Sequence, residues 1–326
     1  MTINEIAKLA EVSRATVSRY LNQGYVSGEK RERIRKVIEE TGYQPSSQAQ
    51  MLRTRKTKLI GVIIPKIDSH TISRMVGGIS TVLSKSGYQL LLANTENNEQ
   101  EELKYLKLFR ENHVDGVILS GTIFTKKHLQ VLKDYQVPVV ILGQYLSGYS
   151  CVYQDDYRAA KELAARMLKK TNKLCYAGVT VQDEAVGRGR LNGFLDACRE
   201  AGREWEESQI AEASFRVDSG IAAAESLLKA HPDLDGILCA TDDIAVGAIL
   251  YLKQLGKRVP EDVKVAGFGD TQVARIVEPN LTTVHFYYKT SGEEAARMLI
   301  DLLEGEASVY REMKMGYRVV ERDSSL

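Results

Sequence analysis

The sequence predicts an α/β protein with an all-α front: a helix-turn-helix headpiece, then two lobes that are each built on a doubly wound parallel sheet. Three observations carry that prediction. Residues 3–21 read as helix, tight turn, helix; apolar runs alternate with amphipathic stretches from Lys58 onward; and the charge is split between the two parts. Residues 1–58 hold 12 Lys or Arg against 6 Asp or Glu, a balance of +6, and the remainder holds 32 against 37, a balance of −5. A near-neutral total therefore hides a basic module on an anionic body, the distribution expected of a local phosphate-binding face.

In the headpiece, Ile3, Ile6, Ala7, Leu9 and Ala10 recur at helical spacing, with Thr2 placed to cap the first amides. Ser13 can cap a second helix whose buried face is Val17 and Leu21. Its outward face carries Arg14, Ala15, Ser18 and Arg19, which suits a helix in the major groove, where Arg pairs with guanine and an Ala methyl touches thymine. Alone, the same pattern also fits an ordinary helical hairpin with solvated charges. Val26-Ser27-Gly28-Glu29 starts a third helix, Ile34, Val37 and Ile38 close a small core, and Gly42-Tyr43-Gln44-Pro45 ends it. Ser46 to Arg55 is too short for a helix that stands alone and also reads as a plain linker.

In the body, Leu59–Ile64, Tyr88–Ala93, Gly116–Leu119 and Val139–Leu142 read as buried strands. Helices are expected between them at Ile72–Ser86, Glu99–Asn112 and Thr125–Tyr135. A second set follows, with strands Leu174–Gly178, Gly236–Ala240 and Lys264–Phe268 and helices near Gly189–Ala201, Asp218–Ala230 and Asp243–Leu255. Two such lobes leave a ligand cleft between the carboxyl ends of their strands.

Composition narrows the class. With 27% charged and 44% hydrophobic residues over 326 positions, the chain is globular and long enough for two or three domains. No apolar run approaches a membrane span and the N-terminus reads as an amphipathic helix instead of a signal peptide, so a cytoplasmic protein is expected. Cys151, Cys175, Cys198 and Cys239 lack metal-ligand spacing and read as buried thiols; no metal or cofactor is expected. The five histidines are scattered, and Asp155-Asp156 and Asp242-Asp243 sit at helix starts, where negative charge suits the helix dipole. No catalytic constellation is evident, which argues against an enzyme.

Over nearly its whole length the chain closely resembles the LacI/GalR family of bacterial transcription repressors. The motifs that carry the resemblance are Val12-Ser13-Arg14-Ala15-Thr16-Val17-Ser18-Arg19 with Leu21-Asn22, Gly42-Tyr43-Gln44-Pro45, Ile60-Gly61-Val62-Ile63-Ile64-Pro65 and Val114-Asp115-Gly116-Val117-Ile118. Further on come Ala240-Thr241-Asp242-Asp243-Ile244-Ala245-Val246-Gly247-Ala248, Gly267-Phe268-Gly269-Asp270-Thr271 and Pro279-Asn280-Leu281-Thr282-Thr283-Val284. The resemblance implies a headpiece over 1–45, a hinge helix over 46–57 and a periplasmic-binding-protein-like effector and dimerisation body over 58–326. One lobe would take about 58–156 and 286–313, the other about 157–285 and 314–326.

The resemblance also implies a homodimer on double-stranded, pseudo-palindromic operator DNA. Thr2, Ser13, Arg14, Ala15, Thr16, Ser18, Arg19, Asn22, Ala49 and Leu52 would form the DNA-binding set, Arg14 and Ala15 reading sequence and Leu52 wedging the minor groove. Arg190 would chelate sugar hydroxyls, and Lys66, Gly121, Gln144, Tyr149, Thr241, Asp242, Asp270 and Tyr288 would complete the effector site. Phe124, Tyr149, Phe286, Tyr287 and Tyr288 are candidates for a sugar-stacking platform. Ser150-Cys151-Val152-Tyr153-Gln154-Asp155-Asp156 and Cys239-Ala240-Thr241-Asp242 resemble the trehalose and sucrose repressor branch, which implies sucrose, trehalose or a phosphate of either as effector. The alternatives are a transporter-type sugar-binding protein, opposed by the headpiece, and a global carbon-catabolite regulator with a phosphoprotein corepressor. The late helix argues against the second, because Arg297 is followed there by Asp301 and Glu304.

Overall fold

The computed structural model describes residues 1–22, 24–43, 56–307 and 309–326, which fall into two compact units, Met1–Thr57 and Lys58–Leu326. The first unit contains α1 (Ile3–Leu9), α2 (Arg14–Leu21) and α3 (Gly28–Thr41). Thr2 and Glu5 cap α1 reciprocally, and the Ser13 hydroxyl accepts the Thr16 amide at 3.2 Å to start α2. Ile6, Ala7, Ala10, Val17, Val26 and Ile34 form the core, with Leu21, Val37 and Ile38 packed against it. Leu9, expected on the buried face, is 54% exposed, because the inward stripe of the short α1 turns past it to Ala10. Residues 46–55 of the expected hinge segment, with Ala49 and Leu52, lie outside the described residues.

The second unit holds two six-stranded sheets. The first contains β1 (Leu59–Ile64), β2 (Gln89–Asn94), β3 (Gly116–Leu119), β4 (Val139–Gly143), β5 (Ser150–Gln154) and β11 (Glu312–Met315). Its order is β2-β1-β3-β4-β5-β11, and every pairing is parallel. The helices between its strands are α4 (His70–Lys85), α5 (Glu99–Glu111) and α6 (Lys126–Lys133), and α12 (Tyr288–Glu304) packs beside α4. Side chains alternate across β1: Ile60, Val62 and Ile64 join the larger core, and Ile63 joins a smaller one with Leu106 and Phe109.

The second sheet contains β6 (Leu174–Gly178), β7 (Ile210–Glu212), β8 (Gly236–Cys239), β9 (Lys264–Phe268), β10 (Thr282–Phe286) and β12 (Tyr317–Val320), in the order β7-β6-β8-β9-β10-β12. Only β12 runs antiparallel. Its helices are α7 (Asp156–Leu168), α8 (Arg190–Glu200, preceded by a π-helical turn at Glu184–Gly189), α9 (Val217–Ala230), α10 (Asp242–Gln254) and the short α11 (Val273–Ile276). The chain crosses between lobes three times: at Asp155, at Tyr287, and at Gly316, which leaves Lys314 and Met315 in the first sheet. The four cysteines are buried and free, and burial pushes each thiol up, Cys198 to about 11 and Cys175 to about 12. Among the described residues no helix is long and apolar enough to cross a membrane.

Candidate functional site

Two surfaces concentrate functional chemistry, one in each unit. On the first, Arg14, Ala15 and Arg19 are exposed along α2 and Thr16 and Ser18 half-buried, with Thr2, Ser13 and Asn22 exposed nearby. Ser13 and Thr16 also share a hydroxyl contact of 2.9 Å, and the Asn22 amide donates to the Ser18 carbonyl, so three polar side chains partly serve the helix itself. Among the described residues neither Arg14 nor Arg19 meets a carboxylate. By contrast, Arg33 and Arg35 on α3 are tied to glutamates. Two unneutralised guanidiniums on one convex helix are free to meet phosphates or base edges.

On the second, a cavity of about 160 Å³ lies between the lobes, room for roughly five waters or a small ligand. The first lobe supplies Lys66 after β1, Ser69 and His70 at the start of α4, Gly121 after β3 and Gln144 after β4. From the second lobe come Asp183, Val186, Arg190, Phe215, Thr241, Asp242, Asp243, Phe268 and Thr271. Gln154, Asp156 and Tyr288 line it from the crossings themselves. These are the carboxyl ends of parallel strands and the helix starts that follow them, the position a doubly wound sheet opens to ligands.

Arg190 is the most constrained group. Its Nε donates to Asp156 Oδ1 at 2.8 Å, its Nη2 stands 2.7 Å from the same oxygen in an ion pair, and its Nη1 donates to the Ala240 carbonyl. Its guanidinium carbon stands 4.8 Å from the centre of the Phe268 ring and 5.2 Å from that of Phe286. Both partners are buried; burial pushes the Asp156 carboxyl up and the Arg190 charge opposes it. Asp156, which closes this pair from α7, shows in the sequence only as a helix start and the end of the Ser150–Asp156 motif, neither of which points to Arg190.

Asp242 is similarly occupied. It accepts the Thr271 amide and hydroxyl at 2.8 Å each and the Thr283 hydroxyl, so its carboxylate chiefly joins α10 to β10 and the loop after β9. Its neighbour Asp243 is less enclosed and is offset by His70 and Lys66 from the opposite lobe, although burial still pushes its carboxyl up. Thr241 caps α10, accepting the Ile244 amide at 3.3 Å.

Of the nine effector residues expected, Lys66, Gly121, Gln144, Arg190, Thr241, Asp242 and Tyr288 border the cavity; Tyr149 and Asp270 do not. Tyr149 packs into the smaller core beside Tyr310, their ring centres 6.3 Å apart. Asp270 is a buried structural hub that binds Arg275 at 2.9 Å, His285 at 2.8 Å and Arg322. Burial alone would raise its carboxyl, but these three donors hold it well below the usual carboxylate range. The carbonyls of Gly269 and Asp270 accept Arg74 Nη1 from α4 of the other lobe, at 3.4 and 3.5 Å. Of the aromatic candidates only Tyr288 lies on the wall; the other rings there are Phe215 and Phe268, which an apolar position in a strand or loop does not distinguish from core.

Gly121 is the one wall position where a side chain has no room: a Cβ would sit 2.9 Å from Glu102 Oε1 and 3.1 Å from Phe124, while the Gly121 carbonyl accepts the Gln144 amide. Behind it, Glu102 is buried 3.3 Å from His128 Nε2 without a hydrogen bond between them. Burial, helped by the charge of Glu99, pushes the Glu102 carboxyl up to about 7. A carboxyl raised in the folded state binds its proton more tightly there than when unfolded, so stability falls as pH rises from about 4.5 to about 7. Glu102→Gln is expected to flatten that slope and to gain about 1–2 kcal/mol at pH 8 in urea titrations. An unchanged slope would show that Glu102 is ionised without penalty.

Residues 2–46 match the family model for bacterial regulatory proteins of the lacI family, and residues 166–325 match a periplasmic binding protein-like domain. The sucrose operon repressor of Staphylococcus xylosus is 35% identical over 306 residues, 93% of each chain. A solved complex of the transcriptional regulator CelR with cellobiose superposes with a TM-score of 0.77 at 30% identity, covering 99% of both chains. The lac repressor dimer bound to operator and an anti-inducer gives 0.91 at 21% identity over 100% of this chain and 99% of that one, a likeness of fold.

Proposed function

The chain belongs to the lacI family of bacterial regulatory proteins, and from that premise we propose that it represses a carbohydrate-utilisation operon and is released from its operator by a sugar bound between the lobes. It is a DNA-binding transcription regulator and not an enzyme, as its relatives are. The observation that carries the sugar reading is the cavity wall itself, where hydroxyl, amide and carboxylate groups share the lining with the aromatic residues Phe215, Phe268 and Tyr288. The names of the relatives, with sucrose and cellobiose in them, point the same way.

In this reading the protein works in the cytoplasm as a homodimer, one headpiece on each half of a pseudo-palindromic site. Arg14 and Ala15 read sequence; Thr16, Ser18 and Arg19 contact phosphates or conserved bases, with Thr2, Ser13 and Asn22 completing the set; Ala49 and Leu52 act through the hinge segment. The effector, sucrose, trehalose or a phosphate of either, shifts the lobes through the three crossings and withdraws the hinge segments from DNA. The coupling expected of such linkage is about 1–3 kcal/mol. A phosphoprotein corepressor is disfavoured by the exposed side of α12, where Arg297 is neutralised by Glu293 and Glu294, and Arg311 beside it by Asp301.

The test is fluorescence anisotropy on the palindromic DNA upstream of the protein's own gene cluster, titrated with sucrose, trehalose, their phosphates and simple hexoses. Release by one sugar supports the reading. Operator binding indifferent to all of them rejects it in favour of the corepressor. On the same DNA, Arg14→Ala is expected to cost about 1–3 kcal/mol of discrimination at one base position in each half-site. A uniform loss across all sequences would instead make Arg14 a phosphate contact.

A further inference from the structure

We propose that the effector is an uncharged polyhydroxyl sugar, and that the cavity excludes its phosphate esters; this rests on reading the cavity as the effector site. The first ground is charge. Among the described residues of the wall, Lys66 and Arg190 are the only cations besides His70, and they face five carboxylates, those of Asp68, Asp156, Asp183, Asp242 and Asp243. Counting Lys66 and Arg190 against the five carboxyls gives a formal −3; burial pushes the carboxyls of Asp156, Asp183, Asp242 and Asp243 up and so lessens that charge, but the wall still offers far more acceptors than cations.

The second ground is that both cations are already engaged. The charge of Arg190 is already balanced by Asp156, so binding an anion would strip a buried carboxylate of its partner, whereas its remaining N–H groups can still donate to neutral hydroxyls. Lys66 Nζ lies 3.4 Å from Asp68, and Asp243 faces it from the other lobe. Nor do the second-lobe helix starts at α7, α10 and the π-helical turn before α8 offer free anion sites, because each of these three carries its own carboxylate. Asp155 caps α7, Asp242 and Asp243 occupy the first turn of α10, and Asp183 Oδ1 accepts the amides of Ala185 and Val186 at 3.0 and 2.8 Å.

The third ground is an unmet need for a donor. Gln154 is 5% exposed and lies on the cavity wall; its Nε2 donates to Ser291 at 3.2 Å, whereas its Oε1 is buried without a partner. A buried acceptor without a partner is costly, and a sugar hydroxyl supplies the missing proton. A phosphate ester keeps the other hydroxyls of its sugar, so this need selects a polyhydroxyl ligand, and it is the acceptor-rich wall with its paired cations that selects against the phosphate group.

The experiment is isothermal titration of the full-length protein with matched pairs: sucrose and sucrose 6-phosphate, trehalose and trehalose 6-phosphate, glucose and glucose 6-phosphate. It is repeated on Asp243→Asn. At least one parent sugar is expected to bind tenfold or more tightly than its phosphate, and the variant should narrow that ratio at least threefold. A phosphate that binds as well as its parent, or a ratio that Asp243→Asn leaves unchanged, overturns the inference while leaving a sugar-responsive repressor intact. Heat from neither member of any pair, together with an operator complex unmoved by them, removes the sugar reading and this inference with it.

Discussion

Arg190→Met should lower the stability of the effector body by about 3–5 kcal/mol, because it strands the Asp156 carboxylate in the interior with its other surroundings unchanged. For a unit of this size that is a fall of roughly 6–20 °C in Tm by calorimetry, and effector-induced release should vanish with it. The deficit should depend on pH with a definite sign. With its cation gone, burial raises the folded-state pKa of Asp156 further, so the variant is most impaired near neutrality and recovers as acid neutralises the carboxyl. The double replacement Asp156→Leu with Arg190→Met should regain most of the lost stability but not the sugar response, which separates the fold's need for the pair from the ligand's. A single variant melting within 2 °C of the parent would mean that the pair is not closed in solution.

Gly292→Val is the second large effect, about 3 kcal/mol or more, read as a lower urea midpoint at unchanged m-value. Helices α4 and α12 touch backbone to backbone: a Cβ on Gly292 would stand 2.0 Å from the Met75 carbonyl oxygen, and one on Gly78 would stand 2.0 Å from that of Lys289. Neither obstacle is a side chain that can swing away, so the helices must part and the cover over β1 and β3 loosens. Gly77 is the control. It lies on the same helix with nothing within 4 Å, so Gly77→Ala should gain up to about 1 kcal/mol in helix propensity.

The headpiece and the central strands were legible because their signals are local. Thr2, Ser13 and Gly42 end or start helices by their own chemistry, and runs such as Leu59–Ile64 are buried on both faces. Strands β5, β10, β11 and β12, with helices α7 and α12, lacked such a signal. Glu312–Met315 and Tyr317–Val320 are only half-buried edge strands whose pairing partners lie more than 30 and as many as 161 residues away. Seven of the nine expected effector residues reach the cavity because strand ends and helix starts are positions that a pattern can find. What it missed depends on distant partners. Asp270 stands next to Thr271, which does face the cavity, yet points at Arg275, His285 and Arg322; Asp156 became important only when Arg190 arrived from 34 residues away.

The crossing at Gly316 bears on how the chain is made. The first sheet is not complete when β5 ends at Gln154: α12 and β11 arrive only at residues 288–315, after nearly all of the second lobe has been synthesised. At about 5–20 residues per second the edge of β5 waits roughly 8–30 s for its neighbour, longer than most small domains take to fold. During translation the headpiece can therefore close at once, while the first lobe emerges from the ribosome with an open edge and an apolar face that α4 covers only in part. A nascent chain that stalls between residues 155 and 287 leaves that edge open to pairing with other chains.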